Sequence, residues 1–447
     1  MKEKFKFCFE KVASIIRSGE WRNLLNIQLE VRPYLQSVPY WVAALIMGFV
    51  AVGYSTAFSS AIRFADWVRQ ENPYWLLLMT PASFAVSCWI VNRFARDAGG
   101  SGIPKVNLAL KLDEKKDAAQ IENLVGFRVG VVVVISSLLG VLGGGSLGRE
   151  GPVVHIAACL FYCVGHLFQK IRPYEEHRSW LIAGGAAGIS AAFNAPLAGV
   201  VFVLEELSQK HFHQFKSVVI TAAIIGGVVS QWLSGRYLYF GHAQVGEVPL
   251  SSLPWAIALG MICGSVAFPF HRMLRPESKL AFRKVFGNGI IFAIFAGLGV
   301  ACLSIWVSPY TIGGGTKLIE DLLYSSEFHA DWKIIVARFL GPILSHLSGS
   351  AGGFLAPALG LGGALGSQFA FLTGYSNAHL LIMVGMAAFL SGIIRAPFTA
   401  WVIVMEMTSS HQAIFPLMLS SLVAFGSLKF FEERFKKPLP ASNRLTP

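Results

Sequence analysis

Charge is what this 447-residue chain has least of: 14% of its residues are Asp, Glu, Lys or Arg, against roughly 25% in an ordinary soluble domain. With 54% hydrophobic residues and a mean hydropathy of +0.56, a soluble globular enzyme is excluded and an integral membrane protein is expected. Acidic residues are scarcest of all, 25 against 37 Lys and Arg. Glu406 is the only one between Lys333 and Phe431. Cysteine is also sparse. Cys8, Cys88, Cys159, Cys163, Cys263 and Cys302 are scattered, and most lie in apolar segments. They read as small core residues, so neither a disulfide framework nor a metal site is expected. The first 30 residues lack an apolar core with a cleavage site, so no removable signal peptide is expected.

What is present is a series of uncharged stretches: 33–62, 179–204, 217–235, 248–271, 285–316, 339–394 and 407–428. Each is near or above the ~20 residues that a helix needs to cross a bilayer. The stretch 339–394, rich in Gly and Pro, must hold several short or broken helices. Such backbone is tolerated in a membrane only where protein or a watery cavity covers it. Basic residues gather in the tails, Lys2 to Arg32 and Lys429 to Arg444. The positive-inside rule therefore places both tails in the cytoplasm with an even number of crossings. Residues 4–17 suit an amphipathic helix on the inner leaflet. Because the charges flank membrane segments, nucleic-acid binding is the poorer reading of them. The division is a tail (1–35), a transmembrane region (36–430, in halves of about 36–235 and 250–430) and a second tail (431–447).

The chain is organised around Gly148-Arg149-Glu150-Gly151-Pro152, a charged turn between apolar segments. An ionisable residue at membrane depth costs at least ~2.5–3.5 kcal/mol and is usually retained for a pathway or relay. The glycines and proline let a helix begin inside the protein with free N–H groups, which attract an anion. An internal repeat supplies a counterpart. Asn194-Ala195-Pro196 is followed by Glu205, and Arg395-Ala396-Pro397 by Glu406, each nine residues after the proline. Upstream, Pro152 and Pro357 align, so Gly148–Pro152 matches Gly353-Phe354-Leu355-Ala356-Pro357. Two halves with matching Gly/Pro-interrupted segments point to a transporter-type repeat with its site at the midplane.

Four glycine-rich helix starts, around Ser101, Glu150, Phe354 and before Pro196, would form an anion cage if they converged; the alternative is helix-packing glycines. Glu150 competes with an anion while ionised and not when protonated, so it suits a gate that also carries a proton. The alternative is an ion pair with Arg149. Glu206 is either an inner proton acceptor or a helix-end carboxylate in water. Arg63 and Asp66 are spaced to pair. Glu406 suits a structural role. Arg128, Arg338 and Arg395 are counter-ions or raise the potential along the pathway. His155 and His346 read as core histidines.

These residues resemble the CLC family of chloride channels and chloride/proton antiporters. Gly100-Ser101-Gly102-Ile103-Pro104, Gly148–Pro152 and Gly353–Pro357 occur in the family's order, and the segment Ala191–Glu206 is also similar. The third departs from the usual Gly-Ile-Phe-Ala-Pro. The resemblance implies an all-α polytopic membrane protein with an inverted-repeat fold of tilted and discontinuous helices. It implies a homodimer in a lipid membrane, with chloride and protons as the transported ions and no cofactor or metal. Ser101, Gly102, Ile103, Phe354 and Leu355 would bind the anion. Glu150 would be the external gate and Glu206 the inner proton carboxylate, with Gly148, Arg149, Gly151, Pro152 and Arg128 in support. Glu206 favours antiport, and Ser101 favours chloride over the nitrate and fluoride preferences of relatives with other residues there. The family's inner tyrosine, expected after Lys437-Pro438-Leu439, is replaced by Pro440, which favours a wider inner gate. Weakly coupled or channel-like conductance is the runner-up. The chain would lack C-terminal regulatory domains and belong to a bacterial plasma membrane. An intramembrane serine hydrolase built on His346, Ser348 and Ser350 is the remote alternative, with no oriented third member.

Overall fold

The computed structural model describes residues 32–168, 177–207, 212–235, 238–243, 245–246, 248–275, 288–325 and 328–435. The expected amphipathic helix at 4–17 and Pro440 lie outside them. The chain divides into two compact units, Met1–Pro39 and Tyr40–Pro447.

Each helix start has a local cause. The first long helix, α1 (Arg32–Glu71), ends before Asn72, whose side chain accepts from Tyr74 N and caps a 3₁₀ turn leading into α2 (Leu76–Phe94). The turn before α3 (Ile103–Lys111) needs Gly102 at φ +85°, a conformation open mainly to glycine. Pro104 in the first turn then sets the helix. Gly126 separates α4 (Ala118–Val125) from α5 (Phe127–Leu142). Next come α6 (Glu150–Phe168), α7 (His177–Phe193), α8 (Pro196–Phe202), which runs into a π-turn (Val203–Leu207), and α9 (Phe212–Ser234).

The second half holds α10 (Leu253–Leu274), α11 (Gly289–Cys302), α12 (Thr316–Tyr324), α13 (Trp332–Leu347), α14 (Leu355–Thr373), α15 (Ala378–Ile394), α16 (Pro397–Thr408) and α17 (Ile414–Arg434). The repeat is visible in helix lengths. Helices α3, α5, α6 and α7 have 9, 16, 19 and 17 residues. Helices α12 to α15 have the same 9, 16, 19 and 17. Within each half the 19- and 17-residue helices pack on each other, α6 on α7 and α14 on α15. Their glycines allow it: a Cβ on Gly184 would sit 2.9 Å from the Ala157 carbonyl, and Gly366 and Gly385 pack backbone to backbone.

Among the described residues, nine helices are long and apolar enough to cross a membrane. The uncharged stretch 339–394 does hold several elements, but α14 and α15 are of ordinary length rather than short. The loop at 348–354 does the interrupting. Asp66 pairs with Arg69 at 3.8 Å instead of with Arg63, which donates to Ser60 Oγ at 2.9 Å. Both spacings are one helical turn, so sequence offered two partners and the side-chain geometry selected one.

Candidate functional site

Backbone hydrogen bonds tie three glycine-rich segments into one junction. Gly148 and Gly353 exchange N–H···O bonds at 2.8 Å each. Gly100 N–H donates to Ser350 O at 3.1 Å, and Gly352 N–H to Gly100 O at 3.0 Å. The Gly148–Gly353 pairing is antiparallel, so the chain enters α6 and α14 in opposite directions, as an inverted repeat requires. Contact is closest at Gly151, where a Cβ would lie 3.0 Å from Ser101 Oγ and 2.9 Å from Gly353 Cα. The starts of α3, α6 and α14 therefore converge, and their unpaired N–H groups give the junction a positive potential.

Among the buried side-chain atoms at this junction that have no hydrogen-bond partner among the described residues are two oxygens, Ser101 Oγ and Glu150 Oε2. Ser101 is 3% exposed and Glu150 1%. An unsatisfied buried polar group costs about 1–3 kcal/mol, so such groups ask for a ligand. The Glu150 carboxylate lies at the start of its own helix, beside Gly148 and the first turn of α14, where a Cβ on Gly148 would stand 2.6 Å from Glu150 Oε2 and 2.9 Å from Pro357 Cδ. Its Oε1 is 3.4 Å from the Tyr239 hydroxyl and 3.9 Å from Arg149 Nε. Arg149 and Glu150 approach each other because Arg149 precedes the first residue of α6 and is not bound by helical divergence. Ile103 opens α3 and Leu355 opens α14, both buried, with Phe354 beside them stacked edge-on against His346. A cavity of about 940 Å³ reaches Gly148, Arg149, Glu150 and Tyr239 from one side, and its walls carry both signs of charge, Arg63, Asp66, Lys317 and Glu320 among them.

The fourth helix start does not join the junction. The N–H groups of Leu197 and Ala198 on α8 already donate to Glu406, at 3.1 and 2.6 Å. The reciprocal bonds run from Phe398 and Thr399 N–H on α16 to Glu205, at 3.1 and 2.7 Å. Each half lends a carboxylate to cap the other's proline-started helix, which accounts for the matched Pro-to-Glu spacing and gives Glu406 its structural role.

Glu206 sits half-buried in the π-turn after α8 and accepts from Asn107 Nδ2 at 2.8 Å. Asn107 stands on α3, one turn beyond Ile103, so a single short helix links Glu206 to the junction. Arg128 is exposed in the first turn of α5. The pentapeptide follows that helix's other end, about 20 Å away at 1.5 Å per residue, so Arg128 stands apart from the site. Arg338 is fully buried and braces the loop before α12, donating to the carbonyls of Tyr310 and Gly313 at 3.0 Å each. Arg395 pairs with Glu432, which also takes Arg275 at 2.5 Å. His155 is a core histidine bonded through Nε2 to Leu124 O at 2.8 Å. Ser348 donates its hydroxyl to the Ser345 carbonyl at 2.7 Å, with Ser350 Oγ 3.1 Å away, a loop brace and not an activated nucleophile. Sequence reasoning missed Tyr239 and Asn107. Tyr239 lies in an irregular linker without periodicity. Asn107 had one signal, its place one turn along a helix that Ser101 introduces.

The family profile "Voltage gated chloride channel" matches residues 83–428. The H(+)/Cl(-) exchange transporter ClcA of Yersinia pestis bv. Antiqua (strain Angola) is 31% identical over 414 residues, covering 86% of this chain and 83% of that protein. ClcA of Klebsiella pneumoniae (strain 342) is 30% identical over 410 residues, covering 85% and 84%. A slow cyanobacterial Cl-/H+ antiporter of known crystal structure superposes with a TM-score of 0.77 at 26% identity, covering 90% of this chain and 95% of that one. A profile match over most of the chain, curated relatives aligned along most of their length and a shared fold agree with the three-segment junction: the chain belongs to the voltage-gated chloride channel family.

Proposed function

We propose that this protein exchanges chloride for protons across a membrane and is a transporter rather than an enzyme. The observation that carries the reading is the pair of unsatisfied buried oxygens, Ser101 Oγ and Glu150 Oε2, at the meeting point of three helix starts. A hydroxyl donor among N–H groups suits an anion. A carboxylate in the same place suits a competitor that withdraws when protonated. The curated relatives named as H(+)/Cl(-) exchangers support the pair of ions.

In the proposed cycle the ionised Glu150 occupies the junction. Protonation removes its negative charge and frees it to leave. Chloride then takes its place, held by the Ser101 hydroxyl and the backbone N–H groups of Gly102, Ile103, Phe354 and Leu355. Neither donor type carries a full charge, so the anion is held without being trapped. Gly148, Gly151 and Pro152 shape the turn, and Arg149 offsets the charge of Glu150. Glu206, oriented by Asn107, exchanges the proton with the cytoplasm. Residues 36–430 form the transmembrane region of a homodimer in the bacterial inner membrane, with tails 1–35 and 431–447 cytoplasmic. The basic tails support that orientation.

Paired flux measurements test the proposal. Purified protein in chloride-loaded vesicles is expected to drive protons uphill when a chloride gradient is imposed. Chloride flux without proton movement overturns it in favour of channel-like conductance, which Pro440 in place of an inner tyrosine favours.

A further inference from the structure

Tyr239 belongs to the linker between the two halves, and contacts from several elements surround it. On its C-terminal side the Phe240 N–H donates to Met407 O at 3.1 Å, and the Tyr324 hydroxyl donates to the Phe240 carbonyl. Its ring packs edge-on against Phe240, with centroids 4.9 Å apart, and against Phe193 at 6.3 Å. The Arg149 guanidinium lies 5.0 Å from the ring centroid, within cation–π range. These contacts fix the direction of the side chain, and its hydroxyl faces Glu150 Oε1 at 3.4 Å. That is long for an O–H···O bond, and a small rotation of the carboxylate closes it.

Among the described residues, no other charged or titratable group places a donor within hydrogen-bond reach of the Glu150 carboxylate. Arg149, on the same segment, covers the Tyr239 ring. Tyr54, from α1, is bonded to Ser137 Oγ at 2.8 Å. The start of α14 beside Glu150, Phe354–Pro357, carries no charged or titratable side chain. Beyond them, the cavity wall holds Lys317, Glu320 and Asp321 of α12, and Arg63, Asp66 and Arg69 of α1. Tyr239 is thus the neutral side-chain donor aimed at the carboxylate from the cavity side.

We propose that Tyr239 is the positioning residue of the outer gate: its hydroxyl holds ionised Glu150 in the anion junction and thereby sets the pH at which the gate opens. A donor stabilises a carboxylate more than a neutral carboxyl. With the hydroxyl gone, the ionised form loses support and the gate releases at higher pH. This rests on Glu150 being the gate.

The test uses the full chain in vesicles, with chloride and proton fluxes measured against pH for wild type, Tyr239→Phe, Glu150→Gln and the double variant. Phenylalanine keeps the ring that Arg149 covers, so packing survives. The alkaline limb of exchange in Tyr239→Phe is expected to move up by about one pH unit, the equivalent of one hydrogen bond to a charged group. The ratio of chloride to protons should not change. In the Glu150→Gln background the same substitution is expected to alter chloride flux by less than about twofold, because it acts through the missing carboxylate. An unmoved pH profile, or an equal effect in both backgrounds, overturns the assignment. The underlying reading fails separately, if Glu150→Gln alone still pumps protons.

Discussion

The two starts that face each other across the junction, Gly148–Pro152 and Gly353–Pro357, share a backbone and divide the side chains. Before α3, Gly100 and Gly102 take φ +89° and +85°; before α12, Gly313 and Gly315 take +68° and +87°. Between the first pair sits Ser101, and between the second Gly314. The helix starts show the inverse. Gly151 lies against Ser101, whereas Ala356 lies against Gly314, where an added Cβ would stand 3.0 Å from the Ala356 methyl. Each contact has room for one side chain, and the two halves spend it on opposite partners. The same holds at the next position, where Glu150 in one half answers Leu355 in the other. Duplicated backbone sets helix starts of the two halves against each other, and the side chains break the symmetry, so that one hydroxyl and one carboxylate meet at the junction.

That asymmetry can be broken at several points. The largest effect is expected from Glu150→Gln, which makes the first start as neutral as the second. Proton flux in vesicles should fall at least ~100-fold, the scale of losing a positioned proton carrier, while chloride still moves. Gly151→Ala gives the first start the methyl that the second already has. The methyl meets the Ser101 carbonyl and hydroxyl, so titration calorimetry should read chloride binding weakened by roughly tenfold, about 1.4 kcal/mol, which lies at the lower end of the usual cost of overpacking. Ala356→Gly, the reverse change, should leave binding within about twofold, since removing a methyl creates no clash. The smallest expected effect is at the reciprocal caps. Glu406→Gln and Glu205→Gln should each cost about 1–2 kcal/mol of stability, and by similar amounts, read as a lowered unfolding midpoint. Unequal losses would show that the two caps are not equivalent.

Much of this was legible before folding. Long uncharged runs announced membrane helices, because the bilayer leaves a chain few other solutions. The matched prolines and carboxylates announced the repeat. Glu150 was legible as the candidate gate too, since it stands without acidic neighbours in an apolar setting. Helix starts by themselves were a weaker guide. Pro196 and Pro152 follow similar small-residue runs, yet one start is open and the other is closed by Glu406. A carboxylate 208 residues from the N–H it caps leaves no trace in local spacing. The same reasoning explains Arg128, an interrupting charge that a whole helix length carries away from the junction.

Sequence alone therefore determined the architecture, through hydropathy, the Gly/Pro punctuation and the duplicated order of segments. Backbone conformation follows from those local features. Only the tertiary structure decided which helix starts stay open, which of two arginines pairs with Asp66 and which linker residue meets Glu150. Those choices depend on contacts between segments far apart in the chain, where the deciding quantity is the position of a few atoms and no periodicity records it.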